Sequence, residues 1–222
     1  QQEISVLNIA ASYWHEWVAQ LERSGQRLPD SLRLVICGSE RVSARKLRRW
    51  QRLAGGRVRW MNAYGVAEAT ITATTYEPPD PLPDDYPTVV PIGRPLANVH
   101  AYLLDETGDP VPPGAEGQLY LGGTGVGLGY LGRPELTAQQ FRSSPFDARS
   151  DGRLYRTGDL ARFGPDGSLQ FLGRRDAQVK VHGYRVELGE IEAQLMAYPG
   201  VSEAVVVPEL GESGQDADRL VA

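Results

Sequence analysis

The sequence contains a single cysteine, Cys37, so no intramolecular disulfide can hold the chain together. No basic, apolar, small-residue signal opens it, and no apolar run approaches the roughly 20 residues that a membrane span requires. These absences point to a cytoplasmic protein with no membrane partner. A basic patch or arm is missing as well: 23 Lys and Arg stand against 28 Asp and Glu, a formal net charge of −5, which makes nucleic acid a poor partner. There is no internal repeat and no initial methionine. The chain opens at Gln1 and stops at RLVA, as another apolar strand begins, so the expectation is an excerpt of a longer polypeptide.

What is present suits an ordinary globular protein. The 222 residues, 41% of them hydrophobic, have room for one large domain or two small ones. Ser12 is placed to cap a helix in which Tyr13, Trp14, Trp17, Val18 and Leu21 follow the 3.6-residue period, with Gly25 as its stop. LRLVICG, residues 32–38, reads as a short buried strand, a second helix runs from Ser43 to about Leu53, and VRWMNAYG leads into another strand. Strand, helix, strand implies an α/β sheet. EATITATTYE continues it until Pro78, Pro79, Pro81, Pro83, Pro87 and Pro91 break regular structure and mark a boundary.

Beyond the prolines, VHAYLLDE, QLYLGG, LYRTGDLARF and SLQFLG have the texture of a β-meander or barrel, with GPDG at 164–167 as a tight hairpin. A strand pair around Gly183, a helix from about Leu188 to Tyr198 and a strand SEAVVV complete the chain. GLGYLG, residues 127–132, satisfies G-x-G-x-x-G after a strand-like run. No strand ending in an acid follows at the distance a dinucleotide fold needs, so the glycines read as a sharp bend.

Three places carry chemistry. NAYGVAEAT sets Tyr64 and Gly65 at a strand-to-loop turn with Glu68 just beyond. An aromatic there can stack on a flat ring and a carboxylate can hold Mg²⁺ on a phosphate, although a Tyr in a turn is usually packing and a Glu usually solvated. In YRTGDL, Asp159 falls inside an apolar strand pair. An ionised carboxylate in that setting must be paired or meet a ligand such as a ribose hydroxyl, or else sit in a hairpin bulge. Finally, GRRDAQVKVHGYRVELGEIE, residues 173–192, mixes Arg174, Asp176, Lys180, Arg185 and Glu187 too densely for a plain core strand and helix.

In order and spacing, NAYGVAEAT, GAEGQLYLGGTGVGLGYLGRPELTAQQF, LYRTGDL and GRRDAQVKVHGYRVELGEIE resemble the adenylation domains of nonribosomal peptide synthetases, within the adenylate-forming superfamily. The resemblance runs from about Ile4 to the end. It implies an α/β adenylate-forming fold: the α/β sheet portion over 1–85, a distorted β-barrel over 86–174, and a hinge with the start of an α+β C-terminal subdomain over 175–222. It also implies an enzyme that activates an amino acid with ATP and Mg²⁺ to an aminoacyl-adenylate, then loads the phosphopantetheine thiol of a carrier protein beside neighbouring synthetase domains.

Carried over by motif, the resemblance puts Tyr64 on adenine with the Gly38 and Ala63 backbone nearby, Glu68 on the metal, and Asp159 and Arg174 on the ribose. Asp176 falls on the hinge, and Lys180 on the residue that faces the active site in the thioester-forming orientation. Asn8, Val35, Cys37, Ala63 and Ile71 fall on the side-chain pocket, which suggests an uncharged substrate side chain of small to medium size. Arg185, Glu187, Glu190 and Glu192 read as ion pairs and first-turn acids instead.

Two departures stand out. Val66-Ala67 replaces the family's common Pro-Thr, removing a phosphate-contacting hydroxyl whose hydrogen bond is typically worth ~1.5 to 3 kcal/mol, and Phe171 replaces a frequent Tyr. The family's pyrophosphate loop, its amino-group-binding Asp and its C-terminal catalytic Lys fall outside 1–222, so this chain alone is expected to be inactive. An acyl- or aryl-acid ligase of the same superfamily, or a noncatalytic scaffold remnant, are the alternative readings.

Overall fold

The apolar runs VLNIA and LVICG become parallel strands in the computed structural model, which describes residues 3–146, 152–176, 178–181, 184–210 and 217–222. β1 (Val6–Ala10), α1 (Ala11–Ser24) and β2 (Leu34–Gly38) form a strand–helix–strand unit, with Val6 opposite Leu34 and Ala10 opposite Gly38. α1 buries Ala11, Trp14, Val18 and Leu21, the spacing of a single helix face, and Gly25 closes it with its N–H on the Leu21 carbonyl. The helix starts one residue before Ser12, which is therefore not its cap. The Ser12 N–H instead donates to Glu40 Oε2 at 2.9 Å, so a distant carboxylate serves the positive end of the helix.

α2 (Ala44–Ala54) follows Ser43 and buries Leu47 and Trp50. Trp14 packs against Trp50 and Trp60 with ring centroids 6.1 and 5.3 Å apart, at tilted angles suited to aromatic pairs. The proline-rich segment contributes carbonyls that α2 satisfies: Arg48 donates to the Leu82 oxygen at 2.9 Å and Gln51 to the Pro79 oxygen at 2.7 Å. Gln1–Trp60, Pro79–Val90 and Asp176–Ala222 make up one of two compact units, and Met61–Pro78 with Pro91–Arg175 the other.

β3 (Arg59–Tyr64) enters the second unit at Met61. EATITATTYE does not continue as one strand. Ala67–Ala69 make a 3-10 turn, Thr70 and Ile71 take positive φ, and only β4 (Thr74–Tyr76) is extended. The Ala73 N–H returns to the Tyr64 carbonyl at 2.8 Å, folding the β-branched run back on itself. Antiparallel to β3, β4 also pairs with β5 (Arg94–Pro95).

The meander residues form β6 (Val99–Leu104), β7 (Gly117–Gly123), α3 (Pro134–Gln140), β8 (Phe141–Ser143), β9 (Arg153–Phe163) and β10 (Leu169–Arg174). Their antiparallel sheet runs β10-β9-β7-β6, with β8 also on β9. Leu103, Leu119, Leu121, Ala161 and Leu169 are its core. GPDG turns between β9 and β10, with the Gly164 N–H on the Ser168 carbonyl at 2.7 Å.

Returning to the first unit, β11 (Gln178–Val181) and β12 (Tyr184–Glu187) pair antiparallel, while the expected bend at Gly183 lies outside the described residues. α4 (Leu188–Met196), β13 (Val207–Leu210) and β14 (Ala217–Val221) follow, and the sheet order is β12-β11-β14-β13. SEAVVV is extended only from Val207. Upstream of it the Val206 N–H donates to Glu192 Oε1 at 2.9 Å, taking a side-chain partner in place of a ladder. Among the described residues, no helix is long and apolar enough to cross a membrane.

One titratable contact makes this packing sensitive to acid. The Ser43 N–H at the start of α2 donates to His15 Nε2 at 3.2 Å, which requires that nitrogen to be unprotonated. Burial first, then the charge of Lys46, lowers the His15 pKa from 6.5 to about 4 against an opposing pull from Glu40. Above pH 6.5 the imidazole is neutral folded or unfolded, so it adds no pH dependence. Below that the unfolded chain binds the proton first, and stability falls until about pH 4. Urea midpoints between pH 7 and 4 should therefore fall less steeply for His15→Gln than for the wild type; parallel curves would contradict this origin.

Candidate functional site

Asp159 owes its position to an irregular stretch of β9. Tyr120 of β7 pairs with Arg156 and Gln118 pairs with Leu160, so Thr157, Gly158 and Asp159 together oppose Leu119. Such an insertion bends a strand and re-aims its side chains, and Gly158 takes the left-handed φ of 80° that the bend requires. Thr157 locks it: its hydroxyl donates to the Leu119 carbonyl at 2.8 Å and accepts the Asp159 N–H at 3.0 Å. β10 carries a matching register shift between Phe171 and Gly173, after which Arg174 stands directly opposite Asp159.

The result is a buried carboxylate held from two sides. Arg174 Nη1 lies 2.6 Å from Asp159 Oδ1, and the Tyr64 hydroxyl donates to Oδ2. The side chains of Asp159 and Arg174 are only 5% and 15% exposed, so this is an ion pair withdrawn from water, unlike the surface pairs elsewhere. Burial, followed by the adjacent Asp159 charge, raises the Tyr64 pKa and keeps its hydroxyl a donor. Both of the alternatives left open by the sequence hold for Asp159: it lies in a bulge, and it is paired.

Tyr64 ends β3, and Gly65 must follow it without a side chain, because a Cβ there would come within 2.1 Å of the Ile71 carbonyl oxygen. That tight return creates the 3-10 turn bearing Glu68. Glu68 Oε1 accepts from the Tyr130 hydroxyl at 2.7 Å, and its carbonyl accepts from the Gly127 N–H at 2.9 Å. Among the described residues, no group of three or more His, Cys, Asp or Glu forms a metal cage. A single carboxylate such as Glu68 fits a hard cation like Mg²⁺, which takes one or two protein carboxylates and fills its shell with water and phosphate oxygens.

The remaining site residues fall in both units. Ala63 is half-buried opposite Thr75, and Ile71 is 77% exposed. In the first unit Gly38 ends β2, while Val35 and Cys37 are wholly buried and offer no surface to a ligand. Asn8 pairs in register with Ile36 and is exposed, which puts it on the opposite sheet face from Val35 and Cys37. The structure thus does not gather these three as one lining. Asp176 is exposed, its carboxylate accepting the Gln178 N–H at 3.2 Å, and half-buried Lys180 stands opposite Arg185 on β12.

Sequence reasoning alone does not single out Thr157 and Tyr130. For Thr157, its place two residues before a carboxylate beside a glycine is a usable signal; for Tyr130, the signal is only its position inside the Gly-rich segment. The energetic asymmetry between pairs is testable. Arg174→Met leaves the Asp159 carboxylate buried without its cation and should cost about 3–5 kcal/mol in urea unfolding. Arg175→Met, at a pair whose partners are 45% and 82% exposed, should change stability by no more than about 0.5 kcal/mol. Equal effects would show that Asp159 does not depend on Arg174.

A model of the AMP-binding enzyme family matches residues 1–131. Malpibaldin synthetase from Mortierella alpina is 49% identical over 198 residues, 89% of this chain and 4% of that protein. Bacitracin synthase 2 from Bacillus licheniformis is 43% identical over 185 residues, 83% of this chain and 7% of its own length. The chain therefore spans a small fraction of these relatives. Among solved structures, holo-PA1221, an NRPS protein containing adenylation and PCP domains, superimposes with a TM-score of 0.82 at 30% identity, covering 92% of this chain and 34% of that one. By sequence and by fold, the chain belongs to the AMP-binding enzyme family.

Proposed function

We propose that this chain is part of an adenylation domain of a nonribosomal peptide synthetase. In this reading an amino-acid carboxylate attacks the α-phosphorus of ATP, releasing pyrophosphate. The phosphopantetheine thiol of a carrier protein then takes the acyl group and releases AMP. The observation that carries the reading is the Tyr64–Asp159–Arg174 constellation: a buried carboxylate already oriented by two donors, beside an aromatic ring at a strand end.

Asp159 accepts hydrogen bonds from the ribose hydroxyls, and Arg174 keeps the carboxylate ionised and in place. Tyr64 presents its ring to adenine, with the Ala63 and Gly38 backbone nearby. Glu68 holds Mg²⁺, which when bound neutralises phosphate charge. The division into 1–85, 86–174 and 175–222 stands as a proposal. So does the assignment of Asp176 to the hinge. Lys180 acts in the second half-reaction, in which a carrier protein and neighbouring synthetase domains are the partners, inside the cytoplasm.

The amino acid activated is one with an uncharged side chain of small to medium size. Of the residues the resemblance assigns to the pocket, Val35 and Cys37 are buried on the sheet face opposite Asn8, and Asn8, Ala63 and Ile71, which keep accessible surface, carry no formal charge. An uncompensated ion among such groups costs several kcal/mol.

Amino-acid-dependent pyrophosphate exchange and carrier loading by the intact protein test these assignments. Asp159→Ala should lower exchange by about 10- to 100-fold, from the loss of hydrogen bonds to a charged group. Lys180→Ala should leave exchange within about threefold while slowing carrier loading by about tenfold or more. Equal loss of exchange in both variants would refute the division of labour, and a preference for Lys, Arg, Asp or Glu across the amino acids would refute the uncharged pocket.

A further inference from the structure

The Gly-rich segment GLGYLG has no part in the reading above, yet it and Gly125 just before it are tied to the Glu68 turn at three points. The Gly127 N–H donates to the Glu68 carbonyl at 2.9 Å, the Thr70 hydroxyl donates to the Gly125 carbonyl at 2.7 Å, and the Tyr130 hydroxyl donates to Glu68 Oε1 at 2.7 Å. Backbone and side chain of Glu68 are thus both held by one loop. The loop's own tyrosine is fixed in turn. Its N–H donates to Thr137 Oγ1 at 2.9 Å, and that hydroxyl donates to the Arg133 carbonyl at 2.8 Å. The Tyr130 ring meets Phe141 edge-on, 5.4 Å between centroids at 75°, and Phe141 packs on Tyr155 at 5.0 Å. Behind the Tyr130 hydroxyl stands that of Tyr155, 3.3 Å away.

A glutamate at a turn ordinarily samples several rotamers, and fixing one before a ligand arrives removes an ordering cost from binding. We propose that Tyr130 is a positioning residue: its hydroxyl, braced by Tyr155, Phe141 and Thr137, fixes the carboxylate of Glu68 for a divalent cation carried on the phosphates of the nucleotide. The inference rests on the reading of Glu68 as the metal-binding carboxylate. GLGYLG is then the arm that brings Tyr130 to that carboxylate, its backbone close enough to the turn for Gly127 to hold the same residue. The hydrogen bond also orients the carboxylate without neutralising it, since a phenol held as a donor leaves the acceptor its charge.

Tyr130→Phe keeps the ring against Phe141 and removes only the hydroxyl. In the intact protein, calorimetric titration with ATP in the presence and absence of Mg²⁺ reads the effect without turnover. The wild type should bind ATP more tightly with Mg²⁺ than without. In Tyr130→Phe that ratio should shrink by about fivefold or more, with metal-free ATP affinity unchanged. Tyr155→Phe, which removes the brace, should shrink the ratio by less. A wild-type Mg²⁺ dependence in Tyr130→Phe, alongside its loss in Glu68→Gln, would overturn the inference and leave Glu68 as the metal residue. If Glu68→Gln itself retained the Mg²⁺ dependence, the metal reading would fail and the inference with it.

Discussion

The carboxylate of Asp159 is withdrawn from water, and a charge so placed is tolerated only where its partners are already positioned. Much of the second unit can be understood as the means of positioning them. The extra residues of β9 turn Asp159 inward, and the shift in β10 brings Arg174 opposite it. The close return at Gly65 ends β3 with the Tyr64 hydroxyl against the same group. Each device breaks the regularity of its strand, and together they make one polar cluster beside a core of Leu103, Leu119, Leu121 and Leu169. A partially assembled version would be worse than an apolar replacement, because removing one partner strands a buried ion.

The Glu68 turn shows the same economy of means. With Val66-Ala67 in place of the family's common Pro-Thr, the turn keeps its shape through backbone bonds: the Val66 carbonyl accepts the N–H groups of Ala69 and Ile71, both at 3.1 Å. Val66, in the position of the Pro, packs against the sheet core, while Ala67, in the position of the Thr, is exposed. The hydroxyl of Thr70 points to the Gly125 carbonyl, joining the turn to the loop that holds Glu68.

How much of this is legible in the residues depends on range. Gly25 as a helix stop and GPDG as a hairpin are local chemistry, and both elements end where the sequence places them. Ser12 fails as a cap because the partner of the helix start, Glu40, lies 28 residues away. EATITATTYE has the β-branched composition of a strand, but the return of Ala73 to Tyr64 overrides that propensity. SEAVVV fails as a strand over most of its length for a similar reason, the capture of Val206 by Glu192. For the site, the residue types of Tyr64, Asp159 and Arg174 are legible from their motifs, whereas their mutual contacts span 95 and 15 residues and need the fold. Asn8 and the Val35–Cys37 pair separate because alternation along paired strands assigns them to opposite faces.

The central claim is that the Tyr64–Asp159–Arg174 cluster receives a nucleotide. Hydrogen exchange of the intact protein, compared with and without ATP, tests it without relying on turnover or on any substitution. Slower exchange in the segments around 62–69 and 155–175 is the result this account predicts. Unchanged exchange there, with protection appearing only in other parts of the chain, would contradict it.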